Sequence, residues 1–281
     1  MQAMWYVRFG CANHALAKPF KLRIWRWIMK MISFAVSISL GVALLLAASA
    51  GSQAAEIVVL SSVGVRAVLQ EVGPQFEQAT KHKLIFQFAT AAELKAQIER
   101  GEAFDVAILT AAGIDDLIKQ NRLASATRVD VAKSGAGVAI KKGAPKPDIT
   151  TAEAFRQTLL AAKSIAYSAQ GATGPNMRKI FERFGIVEEM KAKTTVVSGI
   201  TAAEAVAKGE AELGFTQISE ILPVEGAVLA GPLPPEVQVY TIFTAAVAAS
   251  TKSPAAAQAF IKFLASPAAA PIVKAKGMEP G

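Results

Sequence analysis

The chain has 281 residues with 30 Lys and Arg against 22 Asp and Glu, a formal net charge of +8. Six of the basic residues and no acidic residue fall within the first 55 positions, so residues 56–281 carry 24 basic against 22 acidic side chains. The basic balance therefore belongs to the N-terminal segment and does not indicate nucleic-acid binding. The only cysteine, Cys11, lies there too, so the remainder can form neither disulfides nor thiolate metal sites.

The first 55 residues have the pattern of a secretory signal. A basic region reaching Lys30 is followed by an apolar run over residues 32–48 and by small residues as far as Ala55. We expect cleavage after Ala54 or Ala55 and no lasting membrane span. Because signal basic regions are normally short, residues 1–28 are either an upstream mis-start, with translation beginning near Met29, or a real extension.

The first predicted strand of the remaining chain is the aliphatic run over residues 57–60. Ser61 and Ser62 follow it, and apolar residues then recur at helical spacing from Val65 to Phe76. Hydroxyl groups between a strand and a helix N-terminus are typical of a site for an anion or another small ligand. The alternative is that the two serines only cap the helix.

Strands and helices alternate along the rest of the chain. Short apolar runs predict strands at residues 83–88, 105–109, 164–168, 193–198 and 213–216. Thr-x-x-Glu patterns typical of capping boxes predict helix starts at Thr90, Thr150 and Thr201. A loop over residues 171–176 leads into a helix ending near Phe184. This alternation predicts an α/β fold whose mostly parallel sheets are flanked by helices.

Three segments carry a resemblance to a known family. They are residues 57–62 (IVVLSS), residues 88–108 with the sequences FATAAELKAQIERG and FDVAI, and the ending FLASP with Lys276-Gly-Met278. On these segments, spread over residues 56–280, the chain resembles the type 2 periplasmic solute-binding proteins of ABC importers, and most closely the molybdate-binding protein family.

The resemblance implies two lobes joined by crossover strands near residues 136–140 and 237–243. Lobe 1 would comprise residues 56–137 plus 241–281, and lobe 2 residues 138–240. It also implies a monomer in the periplasm that binds a small anionic solute in the cleft and passes it to an ABC permease. No cofactor, metal or nucleic acid is implied.

By the same resemblance, four junctions would hold the ligand: residues 61–64, 89–91, 170–174 and 216–219. Backbone N–H groups and short polar side chains would contact it there. The candidate ligand-binding residues are Ser61, Ser62, Arg66, Thr90, Ala91, Ser168, Gln170, Gly171, Thr173 and Gln217.

The side chains depart from the molybdate pattern in three junctions. Gly64 stands where the family has a serine, Thr90 is followed by alanines where it has a serine-rich turn, and Gln217 stands where it has a tyrosine. Arg66 is an added cation, either facing the cleft or on a solvated helix face. An arginine beside helix N-termini suits a carboxylate, so we favour a small organic acid. Molybdate or tungstate is the alternative, as is a secreted subunit that feeds a signalling partner.

Enzyme functions find little support in the sequence. His82 is the only histidine beyond residue 55; flanked by two lysines, it is expected at the surface. It lies away from every predicted junction, so no Ser-His-Asp arrangement is available, and no phosphate-binding loop is present. We therefore predict no catalytic residue.

Overall fold

The structure, a computed structural model, describes residues 54–281, and the predicted signal segment up to residue 53 lies outside them. The first half of the described chain alternates strands with helices. Its elements are β1 (Glu56–Ser62), α1 (Arg66–Thr80), β2 (Lys83–Ala89), α2 (Ala91–Glu99), β3 (Val106–Thr110) and α3 (Ala111–Lys119). A 3-10 turn, Val63–Val65, connects β1 to α1.

A long strand, β4 (Val129–Lys141), then leads into the second half. That half contains α4 (Ala152–Ala161), β5 (Ile165–Tyr167), α5 (Gly174–Phe184), α6 (Val187–Lys193), β6 (Thr194–Val196), α7 (Ala202–Lys208), β7 (Leu213–Gln217), α8 (Ile218–Ile221) and β8 (Ala227–Pro232). The chain returns through β9 (Tyr240–Val247), α9 (Pro254–Leu264), α10 (Ala270–Ala275) and β10 (Glu279–Pro280).

The strands run in the order β2-β1-β3-β9-β4-β7-β5-β6. Pairing is parallel among β1, β2 and β3 and again among β5, β6 and β7, whereas β4 and β9 pair antiparallel with their neighbours. The first part of β4 pairs with β9, and its second part, from Ala136 onwards, pairs with β7 and β8. One continuous strand therefore passes from the first half into the second, and the predicted two-lobed α/β architecture is confirmed.

Each half has its own apolar core, and the returning segment from β9 onwards packs with the first half. In the first half, the buried face of α1, including Val72 and Phe76, packs with Ile57 of β1 and Phe260 of α9. In the second half, a separate cluster forms around Phe155 of α4 and the apolar strands β5 and β7. Helices on both sides of the strands explain why these strands read as continuous apolar runs.

Two local predictions are wrong. The helix predicted from Thr150 begins one residue later, because Thr151 Oγ1 accepts the Ala154 N–H at 3.1 Å while the Thr150 hydroxyl donates to Asp148 at 2.7 Å. His82, expected at the surface, is buried: its Nδ1 accepts the Ala55 N–H at 3.1 Å. His82 also stacks on Phe76, with the ring centroids 6.1 Å apart, a contact that the two flanking lysines do not indicate.

Candidate functional site

One cavity of about 190 Å³ lies where strands of both halves end. Its walls come from the residues that follow β1, β2, β5 and β7, together with the start of α7. In α/β folds, ligands usually bind at the edge of the sheet where the carboxyl ends of the parallel strands lie. A cavity of this volume can hold a small solute.

The cavity brings together most of the predicted ligand-binding residues. Those lining it are Ser62, Arg66, Thr90, Ala91, Ser168, Gly171, Thr173 and Gln217. Gln170 lines a neighbouring, more open depression that shares Ala91, Gly171 and Ala172 with this cavity. Ser61 lines neither; it is fully buried and its Oγ lies 3.2 Å from the Ser62 carbonyl oxygen, to which it donates. Successive strand side chains point to opposite faces, so only one of the two serines reaches the cavity.

Arg66 begins α1 and reaches into the cavity across an aromatic ring. Its Cζ lies 5.1 Å from the centroid of Phe88, a cation–π distance. Arg66 is the one cationic side chain among the described residues that line the cavity, and within residues 54–281 it forms no ion pair. Its Nε is buried and donates to no acceptor in that range. The guanidinium is therefore available to an anion.

The opposite wall is held in place by hydrogen bonds between polar side chains. Gln217, 2% exposed, donates from Nε2 to Thr173 Oγ1 at 2.8 Å and to Thr241 Oγ1 at 3.1 Å. Its Oε1 is buried without a partner in the described part of the chain. Ser168 Oγ accepts the Gly171 N–H at 3.1 Å and shapes the loop before α5. These side chains are positioned before any ligand arrives.

Thr90 has a structural role of its own, as the sequence predicts. Its Oγ1 accepts the Glu93 N–H at 3.3 Å, and Glu93 Oε2 accepts the Thr90 N–H at 3.0 Å, which completes a capping box on α2. The first N–H groups of a helix are not all satisfied by such a box. The N–H of Ala91 at the cavity wall therefore remains compatible with ligand contact.

Two glycines permit close approaches around the cavity. A Cβ on Gly64 would overlap Cζ of Phe243 and lie 3.0 Å from its Cε1, so the aromatic ring occupies the space that a side chain at position 64 would need. A Cβ on Gly174 would overlap the Ser168 carbonyl oxygen, so only glycine lets this loop fold back at the start of α5.

Sequence reasoning missed the carboxyl groups of the cavity, which are Glu93, Glu204 and Glu220. Glu204 repeats the arrangement of Glu93: its Oε2 accepts the Thr201 N–H at 2.6 Å, and its own N–H donates to Thr201 Oγ1 at 3.1 Å. The repeated Thr-Ala-Ala-Glu sequence at the starts of α2 and α7 was the available signal that both helices face one site.

Glu220 differs from the other two acids because it completes no capping box. It lies in α8, and the Thr216 hydroxyl donates to its Oε2. Desolvation raises the pKa of Glu220 above its ordinary value; Glu204 adds to the effect, while the Thr216 hydrogen bond, Arg66 and the Gln217 backbone oppose it. No pattern in the sequence distinguishes Glu220 from a surface glutamate.

Within residues 54–281, no group of three His, Cys, Asp or Glu side chains is arranged to hold a metal ion. In the same range, no helix combines the length and apolar character needed to cross a bilayer. His82 does not line the cavity.

Comparison with known proteins agrees with this geometry. The family model described as bacterial extracellular solute-binding protein matches residues 57–279. A curated aconitate isomerase from a Pseudomonas species is 34% identical over 85% of this chain and 94% of its own length. The molybdate-binding protein ModA of Azotobacter vinelandii is 28% identical over 88% of this chain and 98% of its own. The solved Azotobacter vinelandii periplasmic molybdate-binding protein superposes with a TM-score of 0.69 at 20% identity, covering 80% of this chain and 99% of that one.

Proposed function

Because the chain belongs to the family of bacterial extracellular solute-binding proteins, we propose that it captures a small organic carboxylate and delivers it to the permease of an ABC importer. Capture takes place in the periplasm, after removal of residues 1–55. The protein acts as a monomer, with lobe 1 formed by residues 56–137 plus 241–281 and lobe 2 by residues 138–240.

The observation that carries this proposal is the free guanidinium of Arg66. A cation that lines a small cavity, stacks on Phe88 and has no ion-pair partner in the described chain is most stable with an anion beside it. Its planar donors match a carboxylate in a bidentate geometry. Ser62 and Thr173 supply hydroxyl groups around the same space, whereas the Thr90 hydroxyl donates to Glu93 Oε2 at 2.8 Å.

A carboxylate is preferred to a metal oxyanion because of the side chains around Gly64 and Gln217. The position at which the molybdate-binding family has a serine is a glycine whose side-chain space is filled by Phe243. Gln217 stands where that family has a tyrosine, and its amide is engaged with Thr173 and Thr241. The 34% identical relative is named for aconitate, a tricarboxylate, which supports a polycarboxylate ligand.

Closure of the two lobes over the ligand would follow from the crossovers. β4 and the segment leading into β9 connect the halves, so a hinge there changes the width of the cavity. The ligand shifts the population toward the closed form because it contacts walls from both lobes.

A thermal-shift screen of residues 56–281 tests the ligand class, followed by titration calorimetry of every ligand that raises Tm. The panel contains molybdate, tungstate, sulfate, and mono-, di- and tricarboxylates including cis-aconitate, trans-aconitate and citrate. We expect stabilisation by a polycarboxylate and indifference to molybdate. Tight molybdate binding with no response to carboxylates would contradict the proposed ligand class.

Glu220 favours a second candidate function, isomerisation of an unsaturated carboxylate. A carboxyl group with a raised pKa inside the ligand cavity suits proton removal and return, and the 34% identical relative is named as an isomerase. Incubation with cis-aconitate in D₂O, followed by NMR, would reveal trans product and deuterium at carbon. Turnover that disappears in Glu220→Gln would support this candidate, and unchanged cis-aconitate at stoichiometric protein would exclude it.

A further inference from the structure

Glu220 takes a smaller part in helix capping than the other two acids of the cavity. Glu93 and Glu204 each complete a reciprocal capping box. By contrast, the Gln217 side chain caps no N–H of α8, and among the residues that the structure describes Glu220 accepts only from the Thr216 hydroxyl and the Gln217 backbone. None of the ion pairs within residues 54–281 includes Glu220. The residue is partly exposed, and the space it is exposed to is the cavity.

The charged side chains near Glu220 determine which of its two ionisation states is compatible with a bound anion. Arg66 on α1 and Glu204 on α7 are the charged side chains that act on it; β4 and β8, which pack on α8, contribute no charged group to its titration. Glu93 lies on another wall of the same cavity. An ionised Glu220 would compete with the ligand for Arg66 and would repel a second anion at short range. The neutral acid does neither.

We propose that Glu220 enters the complex as the neutral acid and donates a hydrogen bond to a ligand carboxylate held on its other side by Arg66, so that capture is coupled to uptake of a proton. This inference rests on the proposed binding of a carboxylate. Thr216 already donates to Oε2 of Glu220, which leaves the second oxygen to carry the proton toward the ligand. The ligand carboxylate then accepts from a cation and from an acid, and gains a short, charge-assisted bond from each.

Binding of the anion and protonation of Glu220 are thermodynamically linked. A bound anion makes ionisation of Glu220 less favourable still, so the complex holds its proton to higher pH than the free protein does. Between the free and bound pKa values, affinity falls by up to about tenfold per pH unit as pH rises. Below that window neither state takes up a proton and affinity is constant.

Titration calorimetry with trans-aconitate in buffers of different ionisation enthalpy measures this proton directly. The titrations run from acidic to alkaline pH, so that they extend well above the ordinary pKa of a glutamate. We expect buffer-dependent heats showing net proton uptake over part of that range. Glu220→Gln keeps a neutral donor and should bind with no uptake and a flat pH dependence. Glu225→Gln removes an exposed carboxylate outside the cavity and should behave like the parent protein.

Two outcomes would overturn the proposal. Binding without buffer-dependent heat across the whole pH range removes the coupling but leaves carboxylate capture intact. Uptake that persists in Glu220→Gln assigns the proton to another group. Failure of trans-aconitate and every other carboxylate in the panel to bind would instead overturn the proposed function, and this inference with it.

Discussion

Arg66→Met is the sharpest test of carboxylate capture. Methionine keeps an unbranched apolar stem that can still lie against Phe88, whose ring centroid is 5.1 Å from the guanidinium carbon, so the change isolates the charge and its donors. A hydrogen bond to a charged group contributes about 1.5–3 kcal/mol, which corresponds to roughly a 10- to 150-fold weaker Kd. Because the ligand cavity is partly shielded from solvent, the loss should persist when the ionic strength is raised.

The assay is titration calorimetry with the tightest carboxylate found in the panel, at fixed pH. Arg178→Met is the matched control. Arg178 is exposed on α5 and does not line the cavity, and its substitution changes the net charge by the same amount. Its Kd should equal that of the parent protein. An unchanged Kd in Arg66→Met would refute the reasoning, because it would mean that the guanidinium does not meet the ligand. Equal losses in both variants would attribute the effect to long-range charge.

Three further predictions concern stability without ligand. Glu220→Gln should match the parent Tm at acidic pH and exceed it as pH rises through the folded-state pKa of Glu220, because only the parent then carries a desolvated charge; a constant Tm difference would contradict this. Gly64→Ala should lower the free energy of unfolding in denaturant by about 1–3 kcal/mol, because its Cβ overlaps Phe243. Adding Phe243→Leu to Gly64→Ala should recover part of that loss. Thr201→Ala should cost about 1 kcal/mol by removing the cap that accepts the Glu204 N–H, and no change in midpoint would show that α7 does not need it.

Much of the fold was readable from local pattern. The family and its two-lobed architecture are confirmed, and the capping boxes at Thr90 and Thr201 form as predicted. The capping boxes depend on residues within four positions of one another, whereas the two lobes were implied by the family resemblance over residues 56–280. The shift from Thr150 to Thr151 shows the limit of such a signal, because Asp148 competes for the first hydroxyl and no helix periodicity records that competition.

The site was harder to predict because its properties depend on distant residues. The family pattern indicated Gln217, but its two bonds to Thr173 and Thr241 join positions 44 and 24 residues away. Glu220 acquires its raised pKa from burial and from Glu204, and neither can be inferred from the sequence around position 220. The ligand roles of the lining residues remain predictions for the experiments above.

The contact between Gly64 and Phe243 constrains how this protein can change its ligand. A side chain at position 64 requires a smaller residue at position 243, so substitutions at the two sites are epistatic. A serine introduced first would destabilise the protein through the same overlap, whereas a smaller residue at position 243 first would leave a void that the serine could then fill. A combined change at positions 64 and 243 therefore has a preferred order, and a library of single substitutions would score position 64 as destabilising.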